Sequence, residues 1–395
     1  MKAILWIIAI FLTISGLIIS FVFFKSLYLE YTFGENPILL PETGQVGDFI
    51  GGVVGTIFSL AGFIILLMTF NSQTKSTYLE QLESKVFELI KLHRDNVSEI
   101  NIKRKIIDNN GEITEIEFPN RRAFKVMVSD FISCRNELNP FMNLYSTDEI
   151  YESDYLAETI SILGVDKEHI RIKSYARINL SYCIIFYGVS GEGCIILKNL
   201  FKKKFKNEFI EELLLYITMK PIESSKQWGK WKKLKELKIV ERITEIKKII
   251  EFRKLDPSES IAYEYFYDNA YIKFYGGHQH RLGHYYRHLY QSIKYINSQK
   301  KLNFEEKYFY VKTFRAQLST YEQELLFLNS LSFLGLTWEL KPKYKKSGIT
   351  FININREKSL KLITNYNLIK NVPGSHLFGI NFKDYYPKVK YENEE

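Results

Sequence analysis

The chain has 395 residues, 15% of them aromatic, and a net charge of +9, which is more chain than one ordinary domain needs. Its three cysteines, Cys134, Cys183 and Cys194, are far apart and show no CxxC spacing. That excludes a disulfide framework and a cysteine zinc site, and it suits a reducing compartment.

Ala3 to Phe24 is an uncharged run of 22 residues. At about 1.5 Å per residue it matches the roughly 30 Å hydrocarbon core of a bilayer. Lys2 ahead of it has the character of a secretory signal, but the run exceeds the usual h-region and no small-x-small cleavage site precedes Lys25. A retained anchor is expected. The second apolar stretch, Gly47 to Phe70 (GDFIGGVVGTIFSLAGFIILLMTF), has no charge after Asp48. Two spans, at about 3–24 and 48–70, therefore predict a transmembrane hairpin over residues 1–73.

Between the spans Lys25 stands against Glu30, Glu35 and Glu42, with Pro37 and Pro41 expected to break regular structure. Lys75, Lys85, Lys91 and Arg94 follow the second span. The positive-inside rule then puts both termini in the cytoplasm and the short loop outside. Gly47, Gly51, Gly55 and Ser59 recur every four residues on one face of the second span, a surface that lets another helix approach closely. Packing against the chain's own first span and self-association both fit. Asp48 sits at the outer end of this face, where it reaches water, favours the helix N-terminus or lines a polar path between copies.

From 74 to 104 a connecting helix is expected, with Leu79, Leu82, Val86, Leu89, His93, Val97 and Ile100 forming a seam in steps of three and four. A neutral, hydrogen-bonded histidine is the expectation for His93. Residues 105–395 are then a helical cytoplasmic domain with a division near 255. Ile102–Ile107 and Glu112–Phe118 alternate around Asp108-Asn109-Asn110-Gly111 and predict a β-hairpin. Helices are expected from Pro119 to Leu138, over 147–163 and 167–188, and from about 195 to 218. GVSGEG (188–193) fits neither phosphate-loop frame and reads as a connection.

A helix over 224–254 carries eleven basic residues against four glutamates. Lys226, Lys230, Lys232, Lys233, Lys235 and Lys238, with Trp228 and Trp231, make a solvated face, an anionic-lipid surface or a nucleic-acid surface. An aromatic helical region over 260–275 follows, then four histidines at 278, 280, 284 and 288. His280, His284 and His288 share a face, but three histidines on one straight helix rarely converge on one ion, so Glu264 or Asp268 would have to complete a site; no metal and no cofactor is expected. Arg281 and His288 match the Rx4–6H spacing of HEPN-type ribonucleases, in which His does acid–base work and Arg steadies the phosphate. Leu282 departs from the polar residue usual after that Arg. Two close helices are expected over 304–335, with Ser319 and Glu322 as a capping box and Gly335 as the stop. GITFINI (348–354) is the best remaining strand. The fold class is mainly α with minor β.

Three stretches together, GDFIGGVVGTIFSLAGFIILLMTFNSQ with VFELIKLHRDNVSEI, then GHYYRHLYQSIKYI, then YFYVKTFRAQLSTYEQELLFLNSLSFLG, resemble the phage abortive-infection proteins of the AbiC-like family. The resemblance implies two N-terminal transmembrane helices, a helical cytoplasmic domain, and a membrane effector in bacterial anti-phage defence that arrests or kills the infected cell. It places Gly47, Asp48, Gly51, Gly52, His93, Gly283, Tyr286, Arg287, Tyr290, Arg315, Gln317, Ser319, Glu322 and Asn329 on motif positions with unassigned roles. The polar groups between Arg315 and Asn329 are expected to be mostly structural, buried and hydrogen-bonded. The implied partners are inner-membrane lipid, further copies of the chain, and other components of a defence system, such as a retron reverse transcriptase with its RNA and DNA, or a phage-derived trigger. A non-enzymatic effector is the leading expectation. A membrane-tethered ribonuclease using Arg281 and His288, or a basic lipid- or nucleic-acid-binding sensor, is the alternative.

Overall fold

The computed structural model describes residues 2–30, 40–107, 112–163, 169–245, 272–340, 360–372 and 379–392. The protein is mainly helical and divides into two compact units, Met1–Phe87 and Glu88–Glu395.

In the first unit, α1 (Lys2–Glu30) is followed by α2 (Leu40–Phe49), a π-helical turn (Ile50–Val54) and α3 (Gly55–Ser98), of which the part to Phe87 belongs here. Two helices, Ile4–Tyr28 and Thr43–Ser98, are long and apolar enough to cross a membrane. Pro41 does not break structure as expected; it lies within α2. Phe23 stacks on Phe49 at 4.1 Å, and Ala9, Val54 and Ala61 are buried. The close approach comes from Gly16, where a Cβ would stand 3.2 Å from Ile57 Cγ2 and Phe58 Cζ. A Cβ on Gly47, Gly51 or Gly52 would meet nothing within 4 Å, and on Gly55 only Ile50 O at 3.4 Å. Asp48 and Ser59 are exposed. Gly47, Gly51 and Gly52 therefore make no close approach to another described element, and the tight contact of the two apolar helices falls at Gly16.

The second unit opens with the end of α3, where Ile90, His93 and Val97 are buried on one side, as is Ile100 just beyond the helix. The helix stops at Ser98, short of the expected 104, because the chain from Asn101 pairs as a strand. β1 (Asn101–Ile107) and β2 (Ile113–Pro119) form the expected antiparallel hairpin, with Ile102 opposite Phe118; its turn lies outside the described residues. α4 (Arg121–Met142) runs past Pro140, which the sequence marks as a stop. Proline so near the end removes a single backbone hydrogen bond, and Asn143 N still reaches Asn139 O at 3.2 Å.

α4 packs its stripe of Phe124, Met127, Phe131, Cys134, Leu138 and Phe141 on α7 (His169–Tyr187), whose Tyr175, Ile178, Tyr182 and Ile185 are also buried. This pair is the core. The expected helix over 147–163 is two, α5 (Thr147–Ile150) and α6 (Ser153–Leu163), since Tyr151 is extended and bridges Phe205. The same bridge splits the expected 195–218 helix into α8 (Glu192–Phe201) and α9 (Asn207–Thr218). α10 (Trp228–Glu236) ends at Leu237, which is extended, and a helical stretch resumes over 239–245. The rest of the expected 224–254 helix, the division near 255, most of the 260–275 region with Glu264 and Asp268, and the 348–354 strand lie outside the described residues.

α11 (Gln279–Asn297), α12 (Phe304–Arg315) and α13 (Thr320–Leu331) follow, then the short α14 (Leu362–Tyr366). The GVSGEG connection fixes where α11 begins. His278 N donates to Ile185 O at 3.1 Å and Phe186 O at 2.8 Å, so the entry to α11 satisfies carbonyls at the end of α7, and Val189 N donates in return to Tyr275 O at 2.9 Å. Gly188 (φ 76) and Gly277 (φ 86) make this crossing possible. A Cβ on Gly188 would lie 2.6 Å from Gly276 C, and one on Gly277 would lie 2.6 Å from Tyr187 O.

Candidate functional site

Ser319 is the N-cap of α13, and Glu322 reaches back to it as the sequence predicts: Ser319 N donates to Glu322 Oε2 at 2.8 Å and Ser319 Oγ at 2.6 Å. A capping glutamate ordinarily sits in water, but Glu322 is fully buried. Its second oxygen, Oε1, accepts from Tyr285 OH at 3.1 Å and lies 3.6 Å from His93 Nε2. Arg121, at the start of α4, brings its Nε to 3.7 Å from Glu322 Oε2 and donates through Nη2 to Gln317 O at 2.7 Å. The His93 ring packs on Tyr285 and Phe314, each at 5.2 Å, and stacks on His288 at 6.2 Å. The ends of α3 and α12 and the starts of α4 and α13 therefore meet α11 around one carboxylate. Burial pushes the Glu322 pKa up, yet His93 and Ser319 outweigh burial and hold it below the ordinary carboxylate range. Burial drives the Tyr285 hydroxyl well above its ordinary value, which makes it a dedicated donor.

The other motif residues on these helices mostly tie the fold together. Arg315 is buried and donates through Nη1 to Tyr366 O at 3.0 Å and Asn367 O at 2.9 Å. Asn329 donates to Tyr182 OH at 3.0 Å and accepts from Trp338 Nε1 at 3.2 Å, with Gly335 folded over it. Tyr290 meets Trp338 edge-on at 5.1 Å. Tyr286 is buried, Gln317 is half-buried, and Arg287 faces solvent.

Arg281 and His288 each bond a different backbone carbonyl: Arg281 Nε donates to Asn101 O at 2.7 Å and His288 Nε2 to Leu89 O at 3.0 Å. Burial lowers the pKa of both, and His93 adds to the effect at His288. His280 and His284 are exposed, and among the described residues no group of three His, Cys, Asp or Glu side chains is placed to hold a metal. Lys226, Lys230, Lys232, Lys233, Lys235 and Lys238 are all exposed. Trp231 beside them is core, packed 6.0 Å from Tyr216.

A second polar row on α4 escaped the sequence reading. Glu137 pairs with Lys220 at 2.6 Å and accepts from Tyr275 OH at 2.8 Å, and Lys220 lies over the Phe274 ring at 3.6 Å. One row up, Asp130 is gripped by Arg104 and lies 3.2 Å from His278 Nε2. The signal was there to find. Asp130 and Glu137 interrupt the apolar stripe of an amphipathic helix, and a carboxylate there must have a buried partner.

No curated protein and no solved structure matches the chain. The segment from His278 through Trp338, which supplies Arg281, Tyr285, Arg315, Glu322 and Asn329 to these networks, falls within residues 277–346, and those residues match the model of the family described as putative phage abortive infection protein.

Proposed function

We propose that the chain is a membrane-anchored effector of abortive infection: its second unit senses infection or a partner, and its two apolar helices then perturb the bacterial inner membrane. The matched family points to phage abortive infection. The observation that carries the finer reading is the small-residue face of the second apolar helix. A Cβ on Gly47, Gly51 or Gly52 would meet nothing within 4 Å among the described residues, while the two apolar helices approach closely at Gly16. In lipid, where helices associate by close packing, such a face suits a second copy. Large side chains such as Trp6, Phe11, Phe21, Phe63 and Leu66 are more than half exposed, as lipid-facing residues are. On this reading both termini face the cytoplasm. The test follows membrane potential in infected cells expressing the protein. Collapse of the potential with growth arrest is expected, and arrest at intact potential would reject the mechanism.

The six exposed lysines between Lys226 and Lys238 favour a second reading, a sensor surface for anionic lipid or nucleic acid. Binding to anionic vesicles or to nucleic acid is then expected to weaken with salt and on exchanging Lys232, Lys233 and Lys235 for Glu. An unchanged salt profile in that variant would reject it.

A further inference from the structure

Residues 226–241 hold six lysines against two glutamates. α10 stops at Leu237, whose backbone is extended, and Arg242 folds back over the break: its Nη2 donates to Lys235 O and to Leu237 O at 2.7 Å, and its Nε to Leu237 O at 3.2 Å. Carbonyls at a helix end lack partners within the helix, and Arg242 supplies them. Glu241 is turned to a similar task, accepting from Lys238 N at 3.3 Å at the entry to the helical stretch over 239–245. The lysines stay outside these contacts. Lys226, Lys232, Lys233, Lys235 and Lys238 are exposed, and none of their ammonium groups forms an ion pair or hydrogen bond with a described residue.

What accompanies the lysines decides between the two partners a basic surface suits. Trp231 is core and Trp228 is half-buried, so residues 226–245 offer no exposed ring on which the bases of a single strand could stack. The exposed apolar groups are aliphatic instead: Leu237 is 38% exposed and Val240 61%, on either side of Lys238 where the chain breaks out of α10. Phosphate contacts to a nucleic-acid backbone have no use for them. The interface of a charged bilayer does, since aliphatic side chains enter the boundary between headgroups and acyl chains while lysines reach back to the lipid phosphates. The chain also carries two helices long and apolar enough to cross a membrane, and a surface tethered to a bilayer needs little affinity of its own to engage it.

We infer that the segment from Lys226 to Val240 docks on the anionic leaflet of the bilayer that holds the two apolar helices, with Leu237 and Val240 entering the headgroup boundary and the lysines on the lipid phosphates. This names the partner of the basic surface and rests on its reading as a sensor surface and on membrane anchoring.

The test places the full chain in nanodiscs of phosphatidylcholine, alone or with added phosphatidylglycerol. An environment-sensitive fluorophore is attached at Val240→Cys in a Cys194→Ser background, with Asp154→Cys as the control position. In phosphatidylglycerol discs the label at Val240→Cys is expected to shift to the blue and to be quenched by lipids spin-labelled near the headgroup; in phosphatidylcholine discs, and at Asp154→Cys, it should do neither. Exchanging Lys232, Lys233 and Lys235 together for Gln should lower the docking equilibrium by roughly 100-fold, about fivefold for each lysine. Single-stranded RNA added to phosphatidylcholine discs should leave the label unchanged. No shift in phosphatidylglycerol discs, an equal shift in both lipids, or a shift that the Gln variant keeps overturns the inference. RNA binding that needs these lysines, with no response to lipid, overturns it too but leaves the sensor reading standing, whereas no lysine-dependent response to either removes both. Failure of the chain to stay with the discs would reject the anchoring and this inference together.

Discussion

His93 Nε2 lies 3.6 Å from Glu322 Oε1, and neither side chain reaches solvent. Removing the Glu322 carboxylate leaves the buried donors that face it, Tyr285 OH and the Ser319 cap, without their acceptor, at a cost of about 1–3 kcal/mol each. Glu322→Ala should therefore lower the melting temperature far more than Ser319→Ala, which loses about 1 kcal/mol of capping. The two substitutions should be strongly non-additive, because both act on the same hydrogen bonds. Thermal melts of the two single variants and the double variant measure this. The pH dependence has a definite sign: a carboxylate whose folded pKa lies below its unfolded value of about 4.5 stabilises fully above that pH and loses its contribution as pH falls further.

Glu324, two residues further along α13 and on another side of the helix, behaves in the opposite sense. It is buried, its Oε2 has no hydrogen-bond partner among the described residues, and burial pushes its pKa up to about 7. A raised folded pKa means that stability is complete below the unfolded pKa of about 4.5 and declines as pH rises through about 7. Glu324→Gln should remove that decline, so the variant should out-melt the wild type at pH 8 and match it near pH 5. Parallel melting curves across this range would contradict the assignment.

Gly188 and Gly277 should resist substitution more than any exposed glycine in the second unit. Both have positive φ and face backbone atoms at 2.6 Å from an added Cβ, so relief would require the α7–α11 crossing to open. Gly188→Ala and Gly277→Ala are each expected to cost about 1–3 kcal/mol, with loss of soluble expression of the second unit. Gly283→Ala, where a Cβ meets nothing within 4 Å, serves as the control and should be neutral or slightly stabilising in its helix.

Gly51→Leu and Gly16→Leu separate the two faces of the apolar hairpin. Leucine at Gly51 has open space and should leave folding intact while abolishing cross-linking between copies and phage protection. Leucine at Gly16 would drive into Ile57 and Phe58 and should reduce accumulation of the protein itself. Protection retained in Gly51→Leu, with normal levels of protein, would count against assembly through this face.

Local chemistry made much of this legible before any packing was known. Two uncharged runs of bilayer length, alternation on either side of Asn-Gly, and a serine three residues before a glutamate at Ser319 each encode their element within a few residues, and each is present. Other readings failed because the deciding contact is distant in sequence. The Tyr151–Phe205 bridge cuts two helices that periodicity alone would have run on. Periodicity also gave Gly16 no distinction from Gly51, although only one of them meets a neighbouring helix. Sequence by itself determined that Glu322 caps a helix and that the chain opens with two uncharged runs of bilayer length. Only the tertiary structure decided that Glu322 faces His93 and Tyr285 and that Lys220 answers Glu137. The physical reason is that helix propensity and patterning act over a few residues, whereas the compensation of a buried charge depends on which helices pack together.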